Sequence, residues 1–182
     1  MLLPAVIAWT GLSFVVGTGI GCSASSQAVS EPDSQAVLAA AREIVNKVRF
    51  CGLVTVDQSG EPHVRAMDAF PPEDDWIVFL ATNKTTRKVE QIRNHPEVAL
   101  YYFDSESPGY VTVVGRARLV DDAKARETYW KDDWSDFYED ANRGDDYLLI
   151  EVKPLRVEVM SIAHQIAADP KGWKPAVVEF SD

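Results

Sequence analysis

Charge is missing from the first part of the chain: no Asp, Glu, Lys or Arg precedes Glu31. Basic residues are scarce throughout, 18 Lys and Arg against 28 Asp and Glu, for a formal net charge of -10. A nucleic-acid or anionic-membrane binder normally carries the opposite surplus, so neither partner is expected for the charged part of the chain. The 2 cysteines cannot make a disulfide scaffold, and 3 scattered histidines beside so few thiols give no zinc spacing, so no metal is expected. Nor is the composition extreme. Hydrophobic residues at 46 % and charged residues at 25 % exclude disorder throughout, collagen and coiled coil, and 182 residues suit one domain with an appendage.

What the first segment does have is an apolar or small-residue run, MLLPAVIAWTGLSFVVGTGIGC, ending at Cys22. Residues 1–22 read as a signal or lipoprotein-like segment, or as a membrane anchor, since their length approaches the roughly 20 residues that span a bilayer. Gly21-Cys22-Ser23 is similar to a bacterial lipobox, which makes Cys22 the expected lipidation site. Two features depart from that pattern: Gly19 stands where such boxes usually carry Leu, and no cation precedes the run. Residues 23–33 form a polar, small-residue linker. Export is therefore expected, as a cell-envelope lipoprotein or a periplasmic protein, with a cytoplasmic location if the segment is a misassigned start. Gly17, Gly19 and Gly21 do not make a dinucleotide loop, which needs a strand before, a helix after and a later third glycine.

Past the linker, helical and extended patterns alternate. Ser34 is the expected N-cap of a helix with Val37, Leu38, Ala41, Ile44, Val45 and Val48 on one face. Strands are expected over Phe50–Val56, His63–Met67, Trp76–Ala81, Val98–Phe103, Tyr110–Val120 and Tyr147–Val159, separated by turns such as Asp57-Gln58-Ser59-Gly60. Gly115 marks a bend in the fifth. A short helix from Thr85 to Arg93 ends ahead of Pro96, and Asp121 to Tyr138 reads as a longer one. In that longer helix Trp130, Trp134, Phe137 and Tyr138 share a face, as a core or dimer contact or as a cover over a site. The spacing is too uneven for repeated βαβ units. It predicts a mainly β, α+β fold: a six-stranded antiparallel barrel with inserted helices, spanning residues 34–160 and followed by a tail, 161–182.

The chemistry concentrates at Thr82-Asn-Lys-Thr-Thr-Arg-Lys88, where a strand hands over to a helix. Lys84, Arg87 and Lys88 crowd the positive end of the helix dipole, where each cation costs roughly 0.3–1 kcal/mol. A phosphate held by helix N–H groups, threonine hydroxyls and the cations would justify the placement. The alternative is a solvated helix start whose lysines pair with Glu90 or with distant acids. Elsewhere, Glu139 to Asp146 looks like a calcium loop but has its glycine one position early. Cys51 falls in a strand, as a buried inert thiol.

These segments together resemble the pyridoxamine 5'-phosphate oxidase-like FMN-binding split barrels, particularly the general stress protein subgroup, from about Val48 to Met160. The carriers, in order, are Gly60-Glu-Pro-His-Val-Arg65-Ala-Met67, Trp76-Ile-Val-Phe-Leu-Ala-Thr82, Thr86-Arg87-Lys88 and Asn94-His-Pro96. Val98-Ala-Leu-Tyr-Tyr, Tyr110-Val-Thr-Val-Val-Gly115-Arg-Ala and Leu149-Ile-Glu-Val-Lys-Pro154 complete them. The resemblance implies FMN as cofactor, with its phosphate held by Arg65, Thr86, Arg87 and Lys88. It also implies that Ala66 and Met67 line the flavin ring and that Thr82 and Asn83 reach it. It further implies a homodimer with a flavin site at each end of the interface, and a flavin-dependent oxidoreductase acting on a small molecule. The alternative is a non-catalytic flavin-binding protein at the envelope. Related barrels use a deazaflavin or bind haem, for which His63, His95 or His164 are available. Pyridoxamine-phosphate oxidases grip their substrate with a C-terminal Arg-containing segment. This chain has no arginine after Arg156, so vitamin B6 oxidation is not expected.

Overall fold

The structure, a computed structural model, describes residues 32–136, 138, 146–167 and 173–181. The apolar segment 1–22 with Cys22, most of the linker 23–33, Phe137 and the acidic run 139–145 lie outside the described residues.

The first helix, α1, spans Ser34–Lys47, and its N-cap is Asp33 rather than Ser34: the Asp33 carboxylate accepts from the Ala36 amide at 3.4 Å. Its apolar face buries Val37, Ala41, Ile44 and Val45 in the main core. Strands β1 (Phe50–Val56) and β2 (Pro62–Asp68) form a hairpin around the Asp57–Gly60 turn. In that turn Asp57 Oδ1 accepts the Ser59 and Glu61 amides, and Gly60 takes φ 86°, the left-handed conformation that glycine adopts at no steric cost. The next strand, β3, is Val78–Asn83, two residues later than expected. Trp76 is not extended; it closes a turn at φ 67°, buried under the Arg42 guanidinium, which also donates to the Pro72 carbonyl.

Helix α2 (Arg87–Asn94) stops one residue before His95-Pro96, as proline requires. Strands β4 (Glu97–Asp104) and β5 (Gly109–Val120) pair antiparallel, and β5 also pairs antiparallel with β6 (Tyr147–Ser161), with a register shift between Val114 and Gly115. The expected bend sits there. A Cβ on Gly115 would stand 2.4 Å from the Lys153 carbonyl oxygen. The strand order is β2-β1-β4-β5-β6-β3, and the two ends meet through a bridge between Ala69 and Leu80, so the six strands close as a split barrel. A seventh strand, β7 (Ala176–Glu179), pairs with β6 outside that path; the C-terminal residues carried no strand in the sequence reading.

Inward-facing Leu53, Leu100, Val111, Val113, Val152 and Val157 fill the barrel against α1. The long helix expected from Asp121 to Tyr138 is absent. Among the described residues of that range only α3 (Ala123–Thr128) and a 3-10 turn (Asp132–Asp136) form, because tertiary contacts outweigh the helical pattern. Tyr129 stacks on Phe79 at 3.9 Å, and Lys131 swings to Asp68 at 2.6 Å. Among the described residues no helix is long and apolar enough to cross a membrane.

Candidate functional site

The junction between β3 and α2 is built from short polar side chains that bond to one another. Asn83 Oδ1 accepts the Thr85 amide at 2.9 Å, which turns the chain out of the strand. Thr86 occupies the N-cap position, but its hydroxyl donates to the Asn83 carbonyl at 2.8 Å, so no side chain caps α2. Thr82 is only 3 % exposed; its hydroxyl lies 3.0 Å from that of Thr86 and accepts from Lys88 Nζ at 2.9 Å. Arg65 reaches the same end of α2 from β2. Its guanidinium donates to the Leu53 carbonyl (3.1 Å), the Thr55 hydroxyl (2.7 Å) and Gln91 Oε1 (3.1 Å). Thr55 in turn donates to Gln91 at 2.6 Å.

Arg65, Arg87 and Lys88 form no ion pair among the described residues, in a chain with 28 acidic side chains. Burial, and then the charge of Arg87, lowers the pKa of Arg65; burial, and then Arg65, lowers that of Lys88. Three like charges therefore lie near the start of a helix that no side chain caps; Glu90 stands in the same first turn but pairs with none of them among the described residues, an arrangement suited to a bound oxyanion. Lys84 behaves differently. It pairs with Asp121 at 2.9 Å, so the solvated reading holds for that lysine and it leaves the cluster.

Beside the junction lies a cleft of about 390 Å³. Of the residues singled out in the sequence, Ala66, Met67, Thr82, Asn83, Thr86 and Lys88 line it, whereas Arg65 and Arg87 do not. Arg87 is exposed and lines an adjacent surface pocket together with Asp57, His63 and Gln91. Trp134 and Tyr138 form part of the cleft wall, wedged edge-on among Trp130, Phe70 and Tyr147. The Tyr138 phenol is pushed up to about 12 by burial and the nearby Asp146. Sequence reading missed Thr55 and Gln91 as holders of Arg65; their signal is a polar residue at an inward strand position and another on the buried face of α2. It also missed Asp68, which receives Lys131, Arg49 and the Trp134 indole N–H at 2.6, 3.0 and 3.4 Å.

The histidines do not gather. His63 meets Asp57 at 3.0 Å, His164 bridges Ser161 and Glu43 at 2.8 Å each, and His95 ends α2. Asp57, Glu61 and His63 bring potential ligand atoms within 4.8 Å of one another, but Asp57 is already engaged by the turn.

The fold is an antiparallel split barrel with a cleft beside its β3–α2 junction. Residues 37–161 match the family model described as pyridoxamine 5'-phosphate oxidase, and the chain belongs to this family. General stress protein 26 of Bacillus subtilis (strain 168) is 30 % identical over 125 residues, covering 65 % of this chain and 84 % of that protein. A solved Clostridium acetobutylicum protein related to general stress protein 26 superposes with TM-score 0.67 at 19 % identity, over 82 % of this chain and 97 % of that one. A pyridoxamine 5'-phosphate oxidase-related, FMN-binding protein from Nostoc punctiforme gives TM-score 0.59 at 14 % identity, over 80 % and 95 %. At these identities the two solved structures speak for the fold alone.

Proposed function

We propose that the chain binds FMN in the cleft and acts as a flavin-dependent oxidoreductase on a small molecule. The observation that carries this is the cationic group Arg65, Arg87 and Lys88, unpaired with acids and set at the uncapped start of α2. Two neighbouring features fit the same group: the Thr82 and Thr86 hydroxyls, which add donors for phosphate oxygens, and the apolar side of Met67 with Trp134 in the cleft, which suits a flat ring. The family and the FMN-binding character of the Nostoc protein agree with the choice of cofactor. FMN, when bound, supplies hydride and one-electron transfer.

The chain's own residues bind and orient. Arg65 is locked by Thr55 and Gln91, so little freedom is lost when it meets a phosphate. Lys88 brings an already desolvated charge, and Trp134 with Tyr138 excludes water from one side of the cleft. The C-terminal residues Ala176–Glu179 are committed to pairing with β6, in keeping with a substrate other than a B6 vitamer.

In the same reading the protein is a homodimer and is exported with Cys22 as its lipid attachment point. Labelled palmitate should enter the wild type and not Cys22→Ser. The cofactor claim is tested by absorbance: the purified protein mixed with FMN and desalted should be yellow and should bleach anaerobically with NADH or NADPH. A protein left colourless refutes the reading, and a yellow protein inert to both donors restricts it to flavin binding.

A further inference from the structure

Three charged side chains line the flavin cleft: Arg49, Asp68 and Lys88. Two of them are already neutralised. Arg49 pairs with Asp68 at 3.0 Å and with Asp133 at 2.6 Å, and Asp68 also receives Lys131 at 2.6 Å. With Lys88 given to the cofactor phosphate, no free cation is left among the described lining residues for a second anion. The rest of the lining is uncharged, and Phe50, Met67 and Trp134 give it apolar surface.

Tyr138 adds one uncommitted donor to the aromatic wall. Its ring is held by Tyr147 at 4.8 Å and by Trp130 at 5.9 Å. Whereas the Trp134 indole N–H donates to Asp68 at 3.4 Å, the Tyr138 hydroxyl makes no hydrogen bond among the described residues. The residue is half-buried and its hydroxyl is not sealed from solvent, so a ligand in the cleft can meet it. Burial and the nearby Asp146 carboxylate, which also accepts from the Asn83 side-chain amide at 3.3 Å, keep the phenol protonated at neutral pH. A protonated phenol donates one hydrogen bond, and here no described protein group takes it.

We infer that the substrate is an uncharged conjugated carbonyl compound of the quinone type, whose flat ring lies on the wall of Trp134 and Tyr138 and whose carbonyl oxygen accepts the Tyr138 hydroxyl. The inference rests on the FMN reading of the same cleft and narrows it to a substrate class. An anionic substrate finds no free cation there, and a pure hydrocarbon leaves the Tyr138 hydroxyl unused. Flat aromatic surface with one placed polar group is the usual make-up of a site for such a ligand.

The test uses the full chain loaded with oxidised FMN and titrated by NMR with three probes. Duroquinone carries the carbonyls, durene has the same methylated ring without them, and the tetramethylbenzoate anion puts a charge on that ring. Tyr138→Phe should weaken duroquinone about three- to tenfold, the value of one neutral hydrogen bond, and leave durene unchanged. Phenylalanine keeps the ring contacts with Tyr147 and Trp130, so the thermal midpoint and the FMN affinity should stay as in wild type. Wild type should bind duroquinone most tightly of the three. Duroquinone affinity that survives Tyr138→Phe, tightest binding of the anion, or binding of none of the probes overturns the inference while the FMN reading stands. A fall in FMN affinity with duroquinone unaffected gives the hydroxyl to the flavin and overturns it too. If the chain takes up no FMN, the FMN reading fails and the inference falls with it.

Discussion

Lys88→Met separates a binding role from a structural one, because the two roles predict opposite signs. Lys88 is half-buried, its one hydrogen bond among the described residues runs from the side chain to Thr82 at 2.9 Å, and Arg65 repels it. Methionine keeps the aliphatic stem and removes the charge, while Thr82 retains the Thr86 hydroxyl at 3.0 Å. FMN-free protein should therefore keep its thermal midpoint or gain about 1–4 °C, the shift for up to about 1 kcal/mol in a chain of this size. FMN affinity should fall about ten- to a hundredfold, from the loss of a charge-assisted bond of about 1.5–3 kcal/mol. The pH dependence has a definite sign. Because folding lowers the Lys88 pKa, the folded state disfavours the protonated amine, and that penalty is relieved as pH rises from the lowered value towards the ordinary 10.5. The stability gap between Lys88→Met and wild type should close across that window. Calorimetry with scanning fluorimetry reads all three quantities. A fall of several degrees in the FMN-free variant, with FMN affinity unchanged, would make Lys88 a structural residue and refute the reasoning.

Gly115→Ala places a methyl 2.4 Å from the Lys153 carbonyl and 2.9 Å from Val152, at the β5 register shift; overpacking of this kind should cost about 2–3 kcal/mol and lower the melting midpoint by about 5–10 °C. Cys51, with its thiol pushed up to about 11 by burial, should resist alkylation at pH 8 in folded Cys22→Ser protein and react at the ordinary thiol rate in urea. Fast labelling of the native state would contradict the packing around it. Phe50, Val64, Tyr101 and Phe103 leave apolar side chains exposed along β2, β1 and β4, with Val64 72 % exposed. Light scattering should return twice the 20.2 kDa chain mass for wild type and the single mass for Val64→Asp combined with Phe103→Asp.

The barrel strands were legible because β-branched and apolar runs bounded by turn residues report their own period, as in Phe50–Val56 and Glu97–Asp104. The bend at Gly115 was legible for a related reason: a glycine inside such a run marks a close backbone approach. The region after Val120 was not. Trp130, Trp134 and Tyr138 do fall at helical spacing, but their partners Phe70 and Tyr147 come from distant segments, Tyr129 stacks on Phe79, and Lys131 is drawn to Asp68. Local periodicity cannot see those contacts. The cationic junction was visible as a run of charges, yet its sorting was not: only the fold shows that Lys84 leaves for Asp121 while Arg65 arrives from β2. β7 is four residues long and takes its stability from β6, so its own sequence carries little signal.

The most direct measurement is a parallel titration of wild type and the Arg87→Ala, Lys88→Ala double variant with FMN and with riboflavin, which lacks the phosphate. If the β3–α2 junction holds that phosphate, wild type should prefer FMN by about a hundredfold or more, and the double variant should lose most of that preference while its riboflavin affinity stays unchanged. Equal affinity of wild type for the two flavins, or FMN binding undiminished in the double variant, would contradict it.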